Sequence, residues 1–157
     1  MLKTITLAAM SSAIFVAGTA AQARVAFFGS VPGNFYYSVN SPLPINGVGT
    51  SVSLNVPKPG KYAITFSAEC SVTNGVSSGG YAAVVITVDG AAVAPLSDSA
   101  AFCTVPSFEP TNPIFTRASA TVGLSLSAGV HYIQVEGRLK SGATTAEIGD
   151  SAIVIEN

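Results

Sequence analysis

Apolar and polar residues alternate one by one along most of this chain, and the spacing of an amphipathic helix is nearly absent. Successive strand side chains point to opposite faces, so a period of two marks strands with one buried face. Ser51-Val52-Ser53-Leu54-Asn55-Val56 alternates cleanly and turns Val52, Leu54 and Val56 toward a core. Pro57-Lys58-Pro59-Gly60 breaks that strand, because proline cannot donate to a ladder and glycine tolerates positive φ. A second strand is expected from Lys61 to about Val72, with Tyr62, Ile64, Phe66, Ala68 and Cys70 on one face.

Tyr81 to Val88 is a strongly β-forming run, and Asp89-Gly90 follows it directly. An Asp-Gly pair between apolar β-formers is the hairpin signal of a type I′ turn. Asp89 is therefore read as a turn residue in preference to a metal ligand or catalytic acid. Pro95 to Pro113 is irregular, with a short strand expected around Phe102 to Val105. Phe115 to Leu126 alternates again, Ser127-Ala128-Gly129 turns the chain, and Val130 to Leu139 follows with His131, Ile133 and Val135 inward. Two last strands are expected at about Thr144 to Ile148 and Ala152 to Glu156. Many short strands with turns between them point to an all-β fold, an antiparallel sandwich or barrel.

Residues 1–23 carry a targeting signature. Lys3 gives a positive n-region, an apolar stretch runs from Ile5 to Val16, and Ala21-Gln22-Ala23 is an A-x-A cleavage signal. Cleavage after Ala23 would release a single domain, residues 24–157, into a secreted or periplasmic setting. A retained membrane anchor is the alternative, but the apolar run falls short of the ~20 residues a spanning helix needs. No membrane span is expected in the mature chain.

Without Lys3 the chain has a net charge of about minus two, with sparse and scattered charges. That distribution has no footprint for nucleic acid or anionic lipid. Cys70 and Cys103 are the only cysteines, and an exported chain is expected to join them. A loop of about 34 residues closed in this way is worth roughly 3–4 kcal/mol on chain-entropy reasoning. Two free thiols or a metal pair are the alternatives. A zinc site needs about four ligands, and His131 is the one other soft candidate.

The segment Val56-Pro57-Lys58-Pro59-Gly60-Lys61-Tyr62-Ala63-Ile64-Thr65-Phe66 resembles the strand, P-x-P-G turn and aromatic strand at the centre of C1q/TNF-like jelly rolls. Leu124-Ser125-Leu126-Ser127-Ala128-Gly129 is similar to a strand and turn near the C-terminal end of those domains. The aromatic stretch Phe27, Phe28, Phe35, Tyr36 and Tyr37 sits where they have their first strands. The resemblance implies a jelly roll and a compact homotrimer that recognises partners. The chain departs from the family in having Gly129-Val130 where Gly-Asp is frequent. Ala128-Gly129-Val130-His131-Tyr132-Ile133 also resembles a turn-and-strand phrase of jelly-roll carbohydrate-binding modules.

No constellation of residues commits the chain to a chemistry. His131 is the sole histidine, no serine sits in a G-x-S-x-G elbow, and the acids are scattered singly. A strand histidine with one or two hydrogen bonds is the expected role. Asp98 and Glu109 could join a weak calcium site, but nothing in their spacing requires one. The expectation is no enzyme, no metal and no cofactor. The aromatic run is the one candidate surface, because aromatic faces stack on sugar rings. Phe27, Phe35 and Tyr37 are read first as core or oligomer interface, Tyr62, Tyr81 and Tyr132 as packing residues, and Tyr36 and Tyr37 are the candidate ligand contacts. The function expected is a non-enzymatic binding or surface-association module for a glycan or surface protein. A structural subunit of a pilus or coat is the alternative.

Overall fold

The computed structural model describes residues 23–45, 50–74, 79–93, 100–104 and 114–157. Residues 1–22 of the export signature lie outside the described residues, as do Asp98 and Glu109. Every regular element among the described residues is a strand: β1 (Val25–Tyr37), β2 (Ser41–Pro42), β3 (Ser51–Val56), β4 (Gly60–Asn74), β5 (Tyr81–Val88), β6 (Ala91–Ala92), β7 (Ala101–Thr104), β8 (Thr116–Leu126), β9 (Gly129–Lys140) and β10 (Ala143–Glu156).

One antiparallel sheet runs β1-β10-β4-β8. In the other, β9 and β5 lie side by side, β2 and β3 share the outer edge of β9, and β6 and β7 share the outer edge of β5. Each sheet is therefore four lanes wide. The chain changes sheets at every connection between lanes except the β5–β6 hairpin, which is the connectivity of a jelly roll.

Alternation builds the core as expected. Val52, Leu54 and Val56 of β3 are buried while Ser51, Ser53 and Asn55 are exposed. On β4, Tyr62, Ile64, Phe66, Ala68 and Cys70 all face the second sheet. Ile133 and Val135 of β9 and Ile86 of β5 meet them from the other side. Full burial of each such side chain contributes about 1.5–3 kcal/mol. Phe66 packs on Phe102 with ring centroids 5.7 Å apart. The Cys70–Cys103 disulfide ties β4 to β7 across the sandwich, with Cα atoms 6.2 Å apart.

At the hairpin after β5, Asp89 and Gly90 both take positive φ, 53° and 82°, and Ala91 and Ala92 return to pair with Val88 and Thr87. These are the backbone angles a type I′ turn requires.

Two expectations are corrected. The two strands expected after Leu139 are one, β10, which pairs with β1 and β4 along its length. Gly149-Asp150 reads as a break, yet it forms a bulge. Asp150 takes φ 37°, the register slips between Gly149 and Ala152, and pairing resumes. The extra residue also switches parity, so Ile148 before the bulge and Ile153 after it both face the core. Tyr132, expected to pack, is 60% exposed, because β9 turns its neighbours His131 and Ile133 inward.

Candidate functional site

The bulge in β10 faces a second bulge in β1, and the pair organises the outer surface of the first sheet. The β1–β10 register slips between Val31 and Asn34, at Pro32-Gly33. Gly33 has φ 89°, and its amide donates to Asp150 Oδ1 at 3.0 Å, so each bulge holds the other in place. Bulges re-aim the side chains that follow them. Here Phe35 and Tyr37 turn inward and Asn34 and Tyr36 turn outward.

Asn34, Gly149, Glu69 and Arg117 stand in one rung across β1, β10, β4 and β8. Tyr36, Glu147 and Ser71 form the adjacent outward rung. Glu147 is buried although it lies on the outer face. Its carboxylate accepts a hydrogen bond from Asn34 Nδ2. Tyr36 stands opposite Glu147, whose carboxylate raises the phenol above its ordinary 10.0, first as a hydrogen-bond acceptor, with desolvation and its charge pushing the same way. Tyr36 therefore stays a protonated phenol, and the residue is 63% exposed.

Gly149 makes room for this arrangement. A Cβ there would lie 2.8 Å from Asn34 Oδ1, so any side chain would displace the amide from its place across the β10 backbone. Arg117 reaches Glu69 Oε1 through Nε at 3.1 Å and Nη2 at 2.9 Å. The Arg117 side chain is 84% exposed, so the ion pair adds little stability but supplies a guanidinium beside the Glu69 carboxylate.

Of the two tyrosines expected to face a ligand, the structure brings one to this surface. Tyr37 is 5% exposed, stacked on Phe35 with centroids 6.4 Å apart, and burial pushes its phenol to about 12. Asn34, Glu69, Arg117, Glu147 and Gly149 were not singled out as site residues by the sequence. The available signals were Pro32-Gly33-Asn34 inside an aromatic run and a lone glutamate between Ala146 and Ile148.

The sole histidine occupies a different place. His131 Nδ1 lies 2.7 Å from Asp89 Oδ2, and Nε2 lies 3.0 Å from the carbonyl oxygen of Ser127. Asp89 Oδ1 accepts from the Tyr132 amide at 2.8 Å. The cluster superficially resembles a Ser-His-Asp triad, with Ser127 Oγ 3.5 Å from Nε2. Both nearest partners of the ring are pure acceptors, so both nitrogens donate. A nitrogen that donates to a carbonyl has no lone pair to take a hydroxyl proton. The cluster is a clasp between the β5–β6 turn and the β8–β9 turn.

The clasp predicts a pH signature. The Asp89 hydrogen bond is the main cause that raises His131 above 6.5, with the Ser127 carbonyl second. The Tyr132 amide is the main cause that lowers Asp89 below 3.8, with His131 second. The stability from a raised histidine is complete below its unfolded value and is lost as pH rises through its folded value. That from a depressed aspartate is present above its unfolded value and is lost as pH falls through its folded value. The melting-temperature gap between the natural protein and His131→Ala should be widest between pH 3.8 and 6.5 and narrow above that window. A gap that grows steadily above pH 6.5 would contradict the charged clasp.

Among the described residues, no group of three or more His, Cys, Asp or Glu gathers to hold a metal. Nor is any helix among them long and apolar enough to cross a membrane. No protein-family model matches the chain, and no curated protein does either.

Proposed function

We propose that this is an exported, non-enzymatic recognition module that binds a neutral, hydroxylated ligand, a glycan, on the outer surface around Tyr36. One observation carries the reading: Tyr36 presents its side chain to solvent directly across from the buried carboxylate of Glu147 on β10. A tyrosine has only two side-chain torsions to fix, so it loses little freedom when a ligand stacks on it. Sugars bind through an apolar ring face and hydroxyls that both donate and accept. Tyr36 offers the face, Asn34 and Arg117 offer donors, and Glu69 offers an acceptor. The Cys70–Cys103 disulfide supports export to an oxidising compartment.

A glycan array probed with the exported chain tests this. Retention of a defined glycan set is expected, weakened about tenfold or more by Tyr36→Ala, the loss of one anchoring aromatic contact. An empty array, or equal retention by Tyr36→Ala, would remove the proposal.

A second reading, a subunit of an extracellular assembly, has its own support. The middle of the same outer face carries Ala63, Thr65, Ser67, Ser119, Thr121 and Gly123, small and uncharged across β4 and β8. The C1q/TNF-like resemblance would make the assembly a trimer. The unequal edges of the sheets favour a two-fold pair instead.

A further inference from the structure

We propose that β8 is a self-pairing edge, joined antiparallel to β8 of a second copy about a two-fold axis at Thr121. This rests on the strand edges and not on a ligand at Tyr36.

A sheet edge presents unpaired amides and carbonyls, and proteins blunt such edges with proline, bulges, charges or brevity. Three of the four edge lanes here are blunted. β1 carries Pro32 and a bulge at Gly33. The edge beside β9 is divided between β2, which ends at Pro42, and β3, which ends before Pro57. The edge beside β5 consists of β6, two residues, and β7, four. β8 is neither short, bulged nor interrupted by proline. It pairs with β4 from Thr116 to Leu126 with no register slip, contains no proline, and pairs with no other strand among the described residues. Its single charge, Arg117, is turned outward and engaged by Glu69.

The residues of β8 complement themselves. Centred on Thr121, the pairing sets Ala120 against Val122 of the second copy, and Ala118 against Leu124 of the second copy. Each inward rung thus matches a small side chain with a large one. Leu124 is only half-buried in the single chain. It lines a shallow groove of about 260 Å³ with Lys61, Tyr62, Gly123 and Ser125. The second copy would bring its Ala118 rung over it. On the outer face, Thr65 Oγ1 and Thr121 Oγ1 are already 2.9 Å apart, and the two-fold extends them into a row of four threonines. The blunted β1 edge cannot continue the sheet, so the assembly closes as a dimer and does not grow into a filament.

Outward Ser119 falls opposite Gly123 of the second copy, twice per dimer. Both positions are exposed, and a side chain on Gly123 meets nothing within 4 Å, so charges there leave the single chain folded. Sedimentation velocity on the oxidised, exported chain should find a concentration-dependent dimer. Ser119→Lys combined with Gly123→Lys should weaken it roughly 10- to 30-fold by opposing like charges at two symmetric sites. Ser119→Lys combined with Gly123→Glu should restore it, with circular dichroism showing every variant folded. A natural chain that stays monomeric, forms trimers or grows into polymers would overturn the proposal. Equal association by the two double variants would also overturn it.

Discussion

Replacing Cys70 and Cys103 together by alanine is expected to cost about 3–4 kcal/mol of stability, or roughly 10–15 °C in melting temperature. The bond closes a separation of 33 residues and joins β4 of one sheet to β7 of the other. β7 is only four residues long and holds to the edge of β5 through three residue pairs with a register slip. Backbone pairing alone therefore anchors it weakly. Both cysteines also sit in the core, where Cys70 is 1% exposed and Cys103 5%, so alanines leave unfilled volume there. Urea denaturation of the oxidised chain and the double variant measures the difference. A loss under about 1 kcal/mol would mean that packing, and not the crosslink, holds β7.

Gly137→Ala should cost about 1–3 kcal/mol although it adds a single methyl group. Gly137 faces inward on β9, opposite Val84 of β5. A Cβ at that position would lie 2.7 Å from Cζ of Tyr37, 2.8 Å from its hydroxyl oxygen and 3.0 Å from Cδ2 of Leu43. Neither neighbour can yield freely. The Tyr37 ring is fixed between Phe35 and the core, and Leu43 is fully buried. The Tyr37 hydroxyl has no hydrogen-bond partner, so pushing the ring aside gains no compensating bond. The strain also travels outward, since Tyr37 follows Tyr36 on β1. Thermal unfolding compared with Gly123→Ala, where a Cβ meets nothing within 4 Å, separates crowding from a general glycine effect.

Much of the scaffold was legible in the sequence, because one-sided burial imposes its period on the residues. β3, β4, β5 and β8 lie close to where the alternation places them, and Asp89-Gly90 makes its turn. β5 lost its alternation for a physical reason: Ala83, Val85 and Thr87 are buried on its outer face as Val84 and Ile86 are on the inner one. β10 could not be read as one strand, since a bulge and a chain break both use Gly-Asp. The sites were less legible because they depend on pairing between distant segments. Asn34 and Glu147 are 113 residues apart, and Asp89 and His131 are 42 apart. Each looks ordinary until the sheets assemble. Tyr36 and Tyr37 were equivalent as letters, and only the slip at Pro32-Gly33 decides which of them faces out.

Recognition at Tyr36 stands or falls on where a ligand sits. The direct measurement is an amide chemical-shift titration of the isotopically labelled, oxidised chain with a glycan retained on the array. Shifts should concentrate at Asn34, Tyr36, Glu69, Glu147 and Gly149, with the clasp at His131 and the β3 edge unmoved. Shifts centred instead on Val130 and Tyr132, or spread through the core, would contradict the assignment of this surface as the recognition site.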